Sequence, residues 1–514
     1  MIKLLVSALS SGSGKTAVSC ALLAALQKIG LNPCAFKCGP DYIDPMFHRA
    51  VLGVESHNLD LFLAGETGVR KLFCRRSRGH GAAVCEGVMG YYDGLGGVTS
   101  QCSSYDTARA LGLGTLLVLR PGGSSLTLAA QVKGLCAFRR DHRIRGLFLN
   151  HCSPMLYASL GPVLERETGL PVLGYLPPMK AAEMKSRHLG LYTAAEIEDL
   201  SARVEALAAQ LERTADLDRL MAVFSCPAEE MSAFPREKKR DRTLRLAVAK
   251  DRAFCFCYEE SLDAFRREGI EPVFFSPLEE KALPEGTTGL YLPGGYPELY
   301  AKELAANGQM RHAVRKAAAE GMPIVAECGG YLYLCEKLED VHGNCFPMAG
   351  VLSGTGRNQN HLVRFGYAYL TAAEDSLLFR QGERVPVHEF HYWDTEEMGT
   401  AFSMEKPVSG RNWRCGYGTK SLYAAFPHLY FGGENKMAER LAEAMAQWKE
   451  EQRYGNTGSM GDGADQEDHA ALGRGQSGGK SQMDGLRPSA GQSGTAGNHH
   501  GGCGGTDRFG KAGH

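Results

Sequence analysis

The sequence predicts two consecutive α/β domains, each built on a parallel sheet, followed by a low-complexity tail. Three observations carry this. Short apolar runs alternate with amphipathic stretches in residues 1–215 and again in 244–447. A glycine-rich loop ending in Lys-Thr joins the first run to the first helix. From Gly455 onward Ile, Val, Tyr and Trp are absent, so that segment cannot bury enough apolar area to offset its ordering entropy. A chain of 514 residues is too long for one core, which agrees with two domains.

In chain order, "KLLVSAL" reads as a strand and is followed by a helix from about Thr16 to Ile29, with Ala17, Cys20, Leu23 and Leu26 at helical spacing. "AAVCEG", "GTLLVLR" and "GLFLN" are later strands, each ending in a glycine-rich or polar turn. A charged helical stretch around Ala194–Arg213 precedes a linker, 216–243, whose "CPAEEMSAFPREKKRDR" mixes Pro with dense charge. The second block opens at "LRLAVAKD" and continues through "EPVFF", "GLYLPGG" and "MPIVAECGG". It then turns β-rich towards "LYAAFPHLYF" and ends in a helix from about Asn435 to Glu451. The tail, 448–514, is expected to be disordered, and "NHHGGCGG" within it is read as solvated rather than metal-binding.

A formal net charge of −1 gives no footprint for nucleic acid or a membrane surface. No apolar run approaches the ~20 residues needed to cross a bilayer, and the N-terminus is a poor signal peptide. The 16 cysteines are irregularly spaced and lack paired C-x-x-C units, so reduced cytosolic thiols are expected.

Two stretches carry chemistry. "SALSSGSGKT" is strand, loop and helix start, and backbone amides of such a loop make a concave anion site. Gly12, Ser13 and Gly14 would cradle ATP phosphates, Lys15 would reach the β- and γ-phosphates, and Thr16 would ligate Mg²⁺. The strict pattern asks for Gly where Leu9 stands. Downstream, "FKCGPDYIDPMFH" sets Lys37, Asp41 and Asp44 around a Gly-Pro turn, and "CEGVMGYYDG" supplies Glu86 and Asp93. Carboxylates at neighbouring strand ends suit Mg²⁺ or substrate near a γ-phosphate.

The second stretch is "PIVAECGGYLYL", where Cys328 follows an apolar strand and precedes two glycines. Periodicity alone leaves it as either a core thiol or a nucleophile at a strand-to-helix turn. Gly329, with Gly294 and Gly295 of "LPGGYPE", would let amides approach a developing oxyanion. His428 in "FPHLYF" is the preferred base, and His388 and His391 in "VHEFHYWD" compete with it.

These motifs, with "RHLGL" (Arg187–Leu191) between them, occur in an order that resembles the cobyrinic acid a,c-diamide synthases, glutamine-dependent amidotransferases of corrinoid biosynthesis. The resemblance spans roughly 1–447. It implies a P-loop NTPase domain similar to dethiobiotin synthetase, whose loop also lacks the leading glycine, then a class I (triad-type) glutamine amidotransferase domain. Cys328 would form a glutamyl thioester and release ammonia, with His428 as its base. Many triad glutaminases carry His-x-Glu, but Tyr430 stands here, so a Cys–His dyad is expected and what orients His428 stays open. ATP would phosphorylate a macrocycle carboxylate, which ammonia then attacks. The resemblance assigns Lys37 and Asn150 to ATP, with Asn150 facing the adenine, and Asp41, Tyr42, Ile43 and Asp93 to the substrate. It assigns Thr16, Asp41 and Glu86 to Mg²⁺. Expected partners are ATP, glutamine and cobyrinic acid or a related tetrapyrrole, in the cytoplasm, with a homodimer as the candidate assembly. Diamidation of hydrogenobyrinic acid or Ni-sirohydrochlorin is the nearest alternative. A P-loop switch or partition-type protein would leave the second domain unexplained.

Overall fold

Apolar strands with no alternation need cover on both faces, and the first half of the chain supplies it. Its sheet comprises β1 (Ile2–Ala8), β2 (Pro33–Cys38), β3 (Ser56–Leu59), β4 (Ala82–Glu86), β5 (Gly114–Leu119), β6 (Ile144–Asn150) and β7 (Val172–Leu176). The order is β3-β2-β4-β1-β5-β6-β7, and every pairing is parallel. Leu5, Phe36 and Leu117 pack into one face and Leu4, Val6 and Leu116 into the other, with Leu22 and Leu26 of the helix Lys15–Lys28 against the latter. Val6 and Lys37 both lie opposite Glu86 in register. The carboxyl ends of β1, β2 and β4 therefore stand side by side, where ligands collect in such sheets.

This computed structural model describes residues 1–179, 200–227, 240 and 243–458, with backbone alone at 186–187, 190–191 and 454–458. The "RHLGL" motif and the tail from 459 lie largely or wholly outside the described residues.

The second sheet runs Ile270–Phe275, Leu244–Ala249, Gly289–Leu292, Ile324–Glu327, Leu422–Ala425, closed by the short antiparallel edge Tyr417–Gly418. Its other pairings are parallel. Between Glu327 and Leu422 the chain builds two four-stranded sheets, which is the β-rich stretch expected from sequence. The larger pairs Arg364–Ala372 with Arg384–His391. Both domains thus have the predicted α/β class. Among the described residues no helix is long and apolar enough to cross a membrane, and no cysteine is in a disulfide.

Two segments differ from expectation. The stretch read as linker holds a helix, Leu217–Phe224, capped by the Asp216 side chain, which accepts from the Arg219 amide at 2.9 Å. Leu220 and Phe224 recur at helical spacing and are buried in the first domain's core, so apolar periodicity prevails over the neighbouring charge. The last helix, Met437–Gly458, also runs past both the expected end at Glu451 and the tail boundary at 448. Met437, Leu441 and Met445 anchor it, and Ala446 to Arg453 beyond them are mostly good helix formers.

The two domains meet over a polar and aromatic seam. His57 Nδ1 lies 2.8 Å from Glu260 Oε1, Arg49 pairs with Glu259 at 3.1 Å, and Tyr367 donates to Asp60 at 2.8 Å. Tyr258 and Tyr430 of the second domain enter the core of the first.

Candidate active sites

The phosphate loop needs left-handed backbone at Gly12 (φ 77°) and Gly14 (φ 93°). Gly14 also faces close packing: a β-carbon there would lie 1.9 Å from Asn150 Nδ2. That amide donates to the Ser13 carbonyl at 2.9 Å. Asn150 thus braces the loop from the end of β6. The Ser13 hydroxyl bonds back to the Ser10 carbonyl at 3.0 Å. Lys15 Nζ donates to the carbonyls of Met89 (2.6 Å) and Ser10 (3.2 Å). Burial, then the neighbouring Lys37, push its ammonium down to about 8.

The strand ends bring an acidic cluster to this lysine. Lys37 Nζ pairs with Glu86 Oε1 at 2.9 Å, contacts Asp44 closely and lies 3.9 Å from Asp41 Oδ2. Thr16 Oγ1 donates to Glu86 Oε1 at 2.6 Å, and His48 Nε2 lies 3.7 Å from Glu86 Oε2. Burial works against the Glu86 anion, yet Lys37, His48 and Thr16 hold it well below the usual carboxylate range. Asp44 goes the other way, pushed up by burial and by Asp41 and Glu86. Among the described residues no three acidic, His or Cys side chains form a ready-made cation cage. The donor set nonetheless suits a hard divalent ion that keeps water or phosphate ligands: hydroxyl and carboxylate oxygens, with Glu86 Oε2 buried and lacking a hydrogen-bond partner.

Of the substrate candidates, Asp41 turns Oδ1 to the amides of Ile43 (2.8 Å) and Asp44 (3.3 Å). Asp93 accepts from the Gly90 amide at 2.9 Å. Ile43 is buried with Phe47 and Leu200, so packing occupies its side chain. Sequence reasoning set Asp44 at this turn beside Lys37 and Asp41 but passed over His48; the density of polar groups in a buried "YIDPMFH" helix start was the available signal.

In the second domain Cys328 ends the strand Ile324–Glu327 and caps the short helix Gly329–Leu334 with φ 48° and ψ −103°. That conformation is strained for a non-glycine residue and persists because the turn is overdetermined. The Cys328 amide bonds to the Ala425 carbonyl at 2.8 Å, and its carbonyl accepts from Leu332 at 2.9 Å. Gly330 packs on the Leu292 carbonyl, 2.0 Å from where a β-carbon would sit. A β-carbon on Gly294 would lie 2.4 Å from His428 Cε1 and 3.5 Å from Cys328 Cβ, and one on Gly329 3.0 Å from the Gly295 nitrogen. Thiol, imidazole and both glycine turns therefore converge.

His428 is nearly inaccessible, and its backbone is pinned by a bridge to His388, donating to the His388 carbonyl at 2.8 Å. His388 and His391, the competing bases, are held neutral near pKa 3 chiefly by burial. Glu327 answers what lies behind His428: its Oε2 is 3.6 Å from Nδ1. Burial opposes the imidazolium, but contacts with Cys328 and Glu327 outweigh it and hold His428 at about 10. Burial raises Glu327, opposed by His428 and then by the Leu429 amide and the Tyr291 hydroxyl, each 3.2 Å away, which favour its anion. The sequence signal was a Glu inside the otherwise apolar strand "IVAE", because a buried carboxylate needs a partner. Tyr430, where a carboxylate was sought, packs edge-on to Tyr258.

Comparison with known proteins gives the same partition. Residues 4–191 match a CobQ/CobB/MinD/ParA nucleotide binding domain, and residues 245–436 match a CobB/CobQ-like glutamine amidotransferase domain. The cobyrinate a,c-diamide synthase of Clostridium acetobutylicum is 39% identical over 448 residues, 86% of this chain and 100% of that protein. That of Salmonella typhimurium is 39% identical over 443 residues, covering 84% and 96%. That of Caldanaerobacter subterraneus is 37% identical over 422 residues, covering 82% and 93%. The chain belongs to the cobyrinate a,c-diamide synthase family.

Proposed function

We propose that this chain amidates the a- and c-carboxylates of cobyrinic acid, with Cys328 generating the ammonia and the phosphate-loop domain activating the acceptor. Cys328 attacks the glutamine carboxamide, and the amides around Gly294, Gly295 and Gly329 receive the developing oxyanion. His428, cationic, protonates the departing ammonia and then takes a proton from the water that cleaves the thioester. Glu327 holds the imidazole in the orientation this needs.

In the other half, the loop from Gly12 to Thr16 holds ATP, and Lys15 draws the γ-phosphoryl charge. A carboxylate is a poor electrophile; phosphorylation gives it a leaving group, and ammonia displaces phosphate to form the amide. Thr16, Glu86 and Asp41 would hold Mg²⁺, which supplies charge neutralisation on the phosphates. Asp93 and the Asp41–Tyr42 loop face the acceptor side. Lys37 balances the carboxylates of this cluster. The working domain division, with the helix Leu217–Phe224 assigned to the first domain and the whole last helix to the second, is 1–224 and 244–458, in the cytoplasm, with a homodimer as the assembly to be tested by sedimentation.

The observation that carries this reading is the convergence of Cys328, His428 and Gly294 in a chain that also forms a lysine-bearing phosphate loop. Incubation with ATP, Mg²⁺, glutamine and each candidate tetrapyrrole, followed by product mass, tests it. Two successive carboxylate-to-amide conversions on cobyrinic acid are expected. Conversion of hydrogenobyrinic acid or Ni-sirohydrochlorin alone would shift the acceptor assignment.

A further inference from the structure

The glutaminase histidine touches the other domain. Tyr42 belongs to the "GPDYIDP" loop after β2, yet its ring centroid lies 5.5 Å from that of His428. It stacks on Tyr258 at 4.3 Å and on Phe256 at 5.0 Å, both from the second domain. Phe256 lies opposite Gly294 in register, so the stack abuts the oxyanion turn. The Tyr258 hydroxyl donates to the Pro40 carbonyl at 3.2 Å, across the seam and two residues before Tyr42. On the loop's other side, Asn58 Nδ2 donates to the carbonyls of Gly39 (3.0 Å) and Asp41 (2.6 Å). The loop is thus clamped between β3 and the glutaminase, and it carries Asp41 and Asp44 beside Lys37.

We propose that Tyr258 is a positioning residue that couples the two sites, holding the Gly39–Asp44 loop so that Tyr42 buttresses His428 and glutamine is hydrolysed in step with amide formation. A loop that moves when acceptor or nucleotide binds changes the support of the imidazole directly, because aromatic contacts at this range leave no intervening layer. Tyr258 itself touches neither thiol nor phosphate loop, so its effect passes through Tyr42 and Pro40. The Tyr42 hydroxyl is buried with the Tyr258 side chain as its neighbour, so Tyr258 fixes the ring by stacking and by hydroxyl contact.

The inference rests on the roles proposed for Cys328 and for the acceptor loop. Tyr258→Phe keeps the ring and removes the hydroxyl that bonds Pro40 and adjoins the Tyr42 hydroxyl; Tyr258→Leu removes the stack as well. The readouts are glutamine hydrolysed per amide formed, and amidation supported by ammonium salt. In Tyr258→Phe the ratio should rise roughly fivefold, with a larger rise in Tyr258→Leu, while ammonium-supported amidation in Tyr258→Phe stays near wild type because Asn58 still holds Gly39 and Asp41. An unchanged ratio in both variants would overturn the coupling. Loss of both activities in Tyr258→Phe would also overturn it, since a purely structural bond acts that way. A Cys328→Ser protein that still used glutamine would instead remove the site reading beneath it.

Discussion

Glu327 Oε2 lies 3.6 Å from His428 Nδ1, on the residue immediately before the thiol. The strand that ends in the nucleophile therefore also delivers the carboxylate behind the base. Glu327→Gln keeps the shape and the acceptor for the Leu429 amide but removes the charge that favours the imidazolium. Glutamine-dependent turnover should fall by roughly 10² or more, while ammonium-supported amidation is unchanged. The His428 pKa should drop from about 10 towards its ordinary value, which imidazole NMR resonances followed against pH would report. A variant with wild-type glutaminase rates would leave Glu327 a purely structural acid.

The two glycine turns give a steric counterpart. Gly294→Ala places a methyl carbon 2.4 Å from His428 Cε1, where the pinned His388 bridge leaves the ring little room to retreat. Glutaminase kcat should fall at least tenfold, as misplacement of a reacting group by about 1 Å costs rate steeply. The ammonium-supported reaction is the internal control. Equal loss of both activities would mean the substitution disturbs the fold instead.

Much of this was legible in the residues because its signals are local. The loop "SGSGKT", the thiol in "AECGG" and the glycines of "PGGYPE" each lie within a few positions, and the strand-loop-helix context follows from them. Glu327 was missed because its meaning depends on burial: beside Cys328 it reads as an ordinary strand end. The seam was illegible for another reason. His57 and Glu260 are 203 positions apart, and Asp60 and Tyr367 are 307 apart, so only the folded chain pairs them. The Lys37 cluster was half visible; which carboxylate contacts the lysine follows from strand register, with Lys37 opposite Glu86.

Lys37 balances Glu86 and Asp44 in a buried setting. Lys37→Met should therefore destabilise the first domain by about 3 kcal/mol or more, the usual result of leaving buried charge uncompensated. Added Mg²⁺ should raise the melting temperature of the variant more than that of the wild type, because the freed carboxylates then take the cation. Thermal denaturation with and without Mg²⁺ makes the comparison. An identical Mg²⁺ response in the two proteins would separate the cluster from metal binding.

Lys15 sits near pKa 8 before nucleotide arrives, with burial and Lys37 both disfavouring its charge. Polyphosphate supplies the missing anion and restores the pKa towards its ordinary value. ATP binding at pH 8 should thus take up about half a proton, rising towards one at higher pH, and affinity should weaken as pH rises above about 8, approaching tenfold per unit. Calorimetry in two buffers of different ionisation enthalpy reads the proton directly. Lys15→Arg, charged throughout this range, should show no such uptake.

Asp60 tests the seam itself. It caps the helix Leu61–Ser77 through the amides of Phe62 and Leu63 and accepts from Tyr367 of the other domain. Burial, only partly offset by these bonds, raises its carboxyl to about 6. A carboxyl raised above its unfolded value contributes stability that is fully present below the unfolded pKa and lost as pH climbs through 6. Above that point the fold carries a buried anion. Asp60→Asn retains the capping oxygen and cannot titrate, so its stability relative to wild type should improve by about 2 kcal/mol between pH 4.5 and 7.5. Urea midpoints of the two proteins at both pH values measure the change, and a pH-independent difference would show that Asp60 keeps an ordinary pKa. The direction matters for the seam: a proton on Asp60 turns it from acceptor alone to donor as well, and the Tyr367 hydroxyl can take either role.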